Sequence, residues 1–235
     1  MRISPANLSY AVRHPLRALR YALHRDRISY EEIASHLPTA PVIIEAGVAN
    51  GVNTEEMAHF WSGAVIHGFE PIPKAREMAL SRTRNFADRV FIHPYALGDS
   101  SSKLSMHVSG TGEAADTQSS SLLKPTGHLE EYNFVEFKDM LEVDVVTLDD
   151  WALQAGVSQV DFMWLDLQGY ELKALQGATN LLKSVKVMHI EVSHRPLFEN
   201  GVLFPELSQW LRSQGFKPCV DATFRLGGNV LFART

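Results

Sequence analysis

The chain has 235 residues, 45% of them hydrophobic and 21% charged, which supplies a full core for one α/β domain or two small ones and excludes global disorder. A net charge of −5 argues against a general nucleic-acid binder, and Cys219, the single cysteine, rules out an intrachain disulfide and fits a reducing, cytoplasmic setting. No stretch approaches the roughly 20 apolar residues of a membrane span, and a secretory leader is not expected, because Ser, Pro and Asn interrupt the residues after Arg2.

Residues 1–27 hold six arginines against one acid, Asp26. Leu8, Val12, Leu16, Leu19 and Leu23 recur at helical steps opposite a basic face, and Pro15 suits a first turn. The pattern predicts a helical extension over residues 1–40 whose apolar face packs on its own domain. Peripheral contact with an anionic membrane surface is the alternative.

From residue 41 the chain alternates. Pro41 to Ala46 reads as a strand, Thr54 to Trp61 as a helix, and Ala64 to Glu70 as a strand. Pro73 to Phe86 reads as a helix with proline in its first turn, and Val90 to Ala96 as a third strand that Pro94 brings to its end. Such alternation implies parallel strands with right-handed crossovers. Lys103 to Val108 and Leu141 to Val146 alternate as half-exposed strands and are expected to pair as an inserted hairpin. The polar stretch between them, Ser109 to Asp139, is long for a connection and reads as a lid over a binding site.

The alternation then resumes. Thr147 caps a helix running to Ala155, with Asp149 and Asp150 in its first turn. Val160 to Leu165 is an apolar strand ending at Asp166, Tyr170 to Leu182 a helix, and Val185 to Val192 a strand. Pro205 to Gln214 is a helix stopped at Gly215. Phe216 to Asp221 and Asn229 to Ala233 form a closing hairpin around Gly227 and Gly228. The expected fold is a doubly wound α/β sheet over residues 41–235, with an insertion over about 100–146 and no linker dividing it.

The most informative segment is Val42-Ile-Ile-Glu45-Ala-Gly47-Val-Ala-Asn50-Gly51-Val-Asn53-Thr54. A strand enters a turn with glycines four apart, and a helix begins, leaving free N–H groups at its start. Glu70 ends the second strand 19 residues after Gly51, where a carboxylate can accept from both ribose hydroxyls of a nucleotide. A dinucleotide fingerprint fails, because Ala49 and Val52 occupy its second and third glycine positions. Glu45 would also repel a pyrophosphate. A positively charged sulfonium cofactor with an amino-acid tail suits the turn better. A nicotinamide-dependent oxidoreductase is therefore the weaker alternative.

Here the sequence resembles the FkbM-type family of class I S-adenosylmethionine-dependent methyltransferases, over about Pro41 to Arg234. The marks are the glycine turn, then Gly68-Phe-Glu-Pro71, Tyr95-Ala-Leu-Gly-Asp99, Val146-Thr-Leu-Asp-Asp-Trp151 and Asp161-Phe-Met-Trp-Leu-Asp166-Leu-Gln-Gly169-Tyr-Glu171. Where a common family form has Glu, this chain has Gln168. The resemblance implies a Rossmann-like sheet of seven strands, mostly parallel with the last antiparallel. It also implies S-adenosylmethionine as cofactor and O-methylation of a sugar, glycan or other small molecule. The expected cofactor contacts are Glu45, Gly47, Asn50, Gly51, Asn53, Thr54, Glu70, Pro71, Tyr95, Ala96 and Leu97.

An alcohol acceptor needs its proton removed by a base, or a metal that lowers its pKa. Asp166, Glu191 and His194 lie at or past the carboxyl ends of predicted strands, where open α/β sheets bind ligands. They are the candidate catalytic residues. Asp166 with Glu191 could also hold Mg²⁺, although no third ligand is evident. A Cys/His zinc site is excluded. Glu171 suits a capping role at the start of the next helix. Ser119, Ser120, Ser121 and His128 in the lid are candidate acceptor contacts, and removing the lid is expected to spare cofactor binding. The turn after Asp166 lacks the Asp/Asn-Pro-Pro-aromatic pattern of base-modifying methyltransferases, so a nucleic-acid substrate is disfavoured. A cofactor-fold binding module without catalysis is the alternative from another class.

Overall fold

The computed structural model describes Val12 and residues 28–110 and 117–235. In chain order its elements are α1 (Tyr30–Ala34), β1 (Val42–Ala46), α2 (Val52–Phe60), β2 (Val65–Phe69), α3 (Pro73–Arg82), β3 (Val90–His93), β4 (Ala96–Leu97) and β5 (Ser102–Ser109). There follow α4 (Gly127–Glu131), β6 (Phe137–Val146), α5 (Leu148–Ala155), β7 (Phe162–Leu165), α6 (Glu171–Gln176), β8 (Val187–Ser193), α7 (Phe204–Ser213), β9 (Phe216–Thr223) and β10 (Gly227–Arg234).

Seven strands form one sheet in the order β3-β2-β1-β7-β8-β10-β9. The strands from β3 across to β8 are parallel, and β10 runs antiparallel between β8 and β9. This is the doubly wound, mostly parallel sheet with the closing hairpin that the sequence predicts. All four residues of β7 are buried, because helices cover both faces of a central strand. Period-two alternation divides the core. Ile44, Met163, Leu165, Met188 and Ile190 meet α5, α6 and α7 on one face, while Ile43, Phe162, Trp164 and Val187 meet α2 on the other. Ile28 and Ile33, from the segment before residue 41, are buried in this second cluster. A capping box starts their short helix: Ser29 accepts from the Glu32 N–H, and Glu32 accepts from the Ser29 N–H.

The inserted strands pair as expected, β5 antiparallel to β6. They do not form a bare hairpin, because β4 adds parallel to β6 and completes a separate three-stranded sheet. Pro94 is the reason. It ends β3 at His93, and the chain leaves the main sheet before resuming as β4. Met106, Val143 and Val145 of the small sheet pack with Ile72 and Ala75 at the start of α3. Three predicted features change. The helix expected to reach Phe86 ends at Arg82 and continues as a 3₁₀ turn, Arg84–Phe86. The helix expected over Tyr170 to Leu182 stops at Gln176, before a 3₁₀ turn at Leu181–Lys183. A short helix, α4, stands inside the segment expected to be irregular. The basic helix expected over residues 1–27 lies outside the described residues, Val12 excepted. No helix among the described residues is long and apolar enough to cross a membrane.

Candidate active site

The turn from β1 to α2 lies against the carboxyl end of β7. Gly47 has φ +89°, and a Cβ there would come within 2.0 Å of the Asp166 carbonyl oxygen. Gly51 has φ +80° and opens α2, where a Cβ would meet Ala79 Cα at 2.8 Å. Neither position accepts a side chain without moving backbone. Glu70, just after β2, ties the turn to the start of α3. The Ala49 N–H donates to its Oε2 at 2.7 Å and the Ile72 N–H to its Oε1 at 2.9 Å. Burial pushes the Glu70 carboxyl up to about 7, against the lowering effect of those two hydrogen bonds.

A cavity of about 280 Å³ opens here. Of the predicted cofactor residues, Gly47, Asn50, Asn53, Glu70, Pro71, Tyr95, Ala96 and Leu97 line it. Its apolar wall, with Ile72, Met106, Leu122 and Tyr170, suits a flat base. Among the described residues its only charged lining residues are the acids Glu70 and Asp166. Phosphates would find no cationic partner, whereas a sulfonium with hydroxyl and ammonium donors fits. The residues present therefore suit S-adenosylmethionine.

Three predicted contacts sit beneath this wall. Gly51 shapes the turn, and Glu45 and Thr54 are fully buried and hydrogen-bonded to each other, the Thr54 hydroxyl donating to Glu45 Oε2. None of the three lines the cavity, because β1 turns Glu45 toward α2. Burial, outweighing the Thr54 hydrogen bond, raises the Glu45 carboxyl to about 8. The folded state then holds a proton that the unfolded chain releases near 4.5. This contribution to stability is complete below 4.5 and is lost as pH rises through 8. Glu45→Gln mimics the neutral form, so its thermal midpoint should match the parent near pH 5 and exceed it increasingly toward pH 8. A constant difference across that range would contradict this assignment.

A second cavity, of about 390 Å³, adjoins the first. Asp166 and Gln118 line both, which places Asp166 at their junction. Glu171 and Glu191 line the second cavity with Ser119 and His128. The Gln168 amide nitrogen donates to Asp166 Oδ1 and to Glu191 Oε2, each at 2.7 Å. Burial raises both carboxyls. The neighbouring Asp166 raises Glu191 further, and the two carboxyls titrate as a pair. Glu171 does not cap α6, whose start has no side-chain cap, but holds the turn before it: its Oε1 accepts from the N–H groups of Leu167 at 2.9 Å and Gly169 at 3.1 Å. Its carboxyl is pushed up to about 7 by burial. His128 is packed among Tyr132, Phe137 and Phe198. Its Nδ1 has no hydrogen-bond partner among the described residues, and burial keeps the ring neutral by lowering its pKa.

Several expectations are corrected. His194 lines neither cavity. Its N–H bonds to the Leu226 carbonyl and its ring meets Phe204 edge-on, which removes it from the base position. Ser120 faces the first cavity, not the second. Ser121 is a strut: it is buried, and its hydroxyl donates to the Gln168 carbonyl at 3.0 Å. The inserted segment is not confined to the acceptor side, because Met106, Thr117, Gln118, Ser120 and Leu122 line the first cavity. Its removal therefore disturbs both sites. Among the described residues no group of three or more His, Cys, Asp or Glu side chains is disposed to hold a metal ion. Between Asp166 and Glu191 stands the Gln168 amide, a donor where a bridging cation would need a ligand. The pair does not fit a divalent ion.

Sequence reading missed Tyr170, Ile72, Gln118 and Gln168. Tyr170 and Gln168 flank the Gly169 turn and carried a local signal. Ile72 directly follows Glu70 and Pro71, while Gln118 reaches the site only through the fold of the inserted segment.

The comparisons bear on both layers. The family model described as "Methyltransferase FkbM domain" matches residues 45–218. A 2-O-methyltransferase, NoeI, of Sinorhizobium fredii (strain NBRC 101917 / NGR234) is 29% identical over 190 residues, covering 80% of this chain and 75% of the relative. A crystal structure of a fibrillarin/Nop5p complex shares the fold at a TM-score of 0.51 and 15% identity, covering 92% of this chain and 79% of the other.

Proposed function

The chain belongs to the FkbM family of S-adenosylmethionine-dependent methyltransferases, and on that premise we propose that it methylates a hydroxyl of a sugar or glycan. When bound, S-adenosylmethionine supplies a methyl group made electrophilic by the sulfonium sulfur. The observation that carries the reading is Asp166, the one acid shared by a cavity suited to that cofactor and a second cavity open beside it. Glu70 binds the ribose hydroxyls and fixes the depth of the cofactor. In the second cavity Asp166 would accept the hydroxyl proton of the acceptor, while S-adenosylmethionine would supply the methyl group to that oxygen, its methyl–sulfur bond breaking to leave neutral S-adenosylhomocysteine. Glu191, held well above the ordinary carboxylate range by burial and by Asp166, stands beside it. Much of the rate gain comes from this alignment of two bound partners.

The choice of a sugar rests on the walls of the second cavity. Tyr132, Phe134 and Phe198 present aromatic rings, and Phe134 is 78% exposed. Asp166, Glu171, Glu191 and Ser119 share the lining. A sugar offers an apolar ring face to the first group and hydroxyls to the second. The 2-O-methyltransferase relative supports transfer to oxygen. A cytoplasmic location belongs to the same reading and accords with a chain carrying one cysteine.

The test is incubation with methyl-labelled cofactor and a panel of glycans with free hydroxyls. Labelled methyl ether on a glycan is the expected product. Tight binding of S-adenosylhomocysteine without product on the whole panel would instead support a binding module.

A further inference from the structure

Gln168 lies in the centre of the site yet neither binds the cofactor nor can move a proton. We propose that it is a positioning residue, whose side-chain amide clamps Asp166 and Glu191 in a single arrangement at the junction of the two cavities. The proposal rests on the hydroxyl-transfer reading above.

The geometry uses the amide completely. Its nitrogen has two hydrogens and lies 2.7 Å from an oxygen of each carboxyl. The reversed amide would set its oxygen against both acids, so this orientation is the stable one. Without the amide, two adjacent carboxyls would share one proton and no common partner.

The backbone supports the same conclusion. Gln168 has φ +52°, a conformation that residues with a side chain seldom adopt. Neighbouring groups impose it. The Ser121 hydroxyl donates to the Gln168 carbonyl at 3.0 Å, and Glu171 accepts from the N–H groups on either side, those of Leu167 and Gly169. Glycine would occupy this position with less strain. A long amide held there against its own preference indicates that the side chain does the work. The Ser121 contact also ties the clamp to the inserted segment, whose residues line both cavities.

The test compares Gln168→Gly and Gln168→Met with the parent in the full chain. The glycine variant removes backbone strain, so its thermal midpoint should equal or exceed the parent's, with unchanged affinity for S-adenosylhomocysteine. Its turnover on the glycan that scores in the panel should fall by about 10²-fold, the effect of small misplacement at a reacting centre. The methionine variant keeps the length but loses both donors, and its turnover should fall likewise. A merely structural residue would give the opposite result: a lower midpoint with normal turnover per folded molecule. Full turnover in Gln168→Gly beside a dead Asp166→Asn overturns the clamp alone. Full turnover in Asp166→Asn overturns the base reading and the clamp with it.

A readout independent of the acceptor comes from the side-chain amide protons of Gln168 by NMR. Two distinct, downfield, slowly exchanging resonances are expected, one perturbed by Asp166→Ala and the other by Glu191→Ala. Rapidly exchanging protons indifferent to both variants overturn the proposal.

Discussion

Glu70→Ala should weaken binding of S-adenosylhomocysteine by about 1.5–3 kcal/mol, the range for hydrogen bonds to a charged group. That is a rise in Kd of roughly 10- to 150-fold. Each Glu70 oxygen already accepts one backbone N–H, from Ala49 and from Ile72, and keeps a lone pair for the cavity it lines. The carboxyl is therefore held in place before any ligand arrives, so little ordering is lost on binding. Calorimetry on folded variant protein measures the effect. The pH dependence adds a second sign. Burial holds this group near 7, and hydroxyl donors favour its ionised form. Affinity should rise as pH increases through 7 in the parent, and the rise should vanish in the variant. Unchanged affinity in Glu70→Ala removes the ribose from this position.

Asp166→Asn should lower turnover by about 10²–10⁴-fold, the usual contribution of a general base, and leave cofactor affinity nearly intact. The asparagine keeps the shape and can still pair with Gln168, but it cannot take a proton. Glu191→Gln should reduce turnover less, because Glu191 is not the group that takes the acceptor's proton. His194→Ala should turn over normally, since its ring packs on Phe204 outside both cavities. Turnover should also survive EDTA, because the Gln168 amide lies between the carboxyls where a bridging ion would sit. Rapid-quench measurement of labelled product distinguishes these variants. A dead His194→Ala with an active Asp166→Asn would reverse the roles.

The glycine turn was legible in the sequence because its cause is local. Gly47 and Gly51 stand where a strand must turn sharply into a helix, and Glu70 stands where the next strand ends. Asp166 and Glu191 were legible for the same reason, being strand-end carboxylates on adjacent strands. His194 misled, because position past a strand end does not fix side-chain direction. The Leu226 carbonyl captures its N–H and the ring turns onto Phe204. Glu45 was read as a ligand contact because it precedes the turn. Alternation along β1 instead buries it beneath α2, with Thr54 as partner.

The inserted segment was legible as strands but not as a wall of the cofactor cavity. Its residues reach the site through the pairing of β5 with β6 and the packing of Met106 against Ile72, contacts distant in sequence. Pro94 was read as a strand end, yet nothing local announced that β4 would join the other sheet. Gln168 stood out only as a departure from a resemblance. Its meaning rests on two carboxyls, one of them 23 residues away.

The central claim is that one cavity holds the cofactor, the other the acceptor, and that Asp166 stands between them. A crystal structure of the complex with S-adenosylhomocysteine tests it most directly. The ribose hydroxyls should meet the Glu70 carboxylate, the adenine should lie against Tyr95, Ala96 and Leu97, and the sulfur should face Asp166 and the second cavity. A ribose bound away from Glu70, or a sulfur turned away from Asp166, would contradict it.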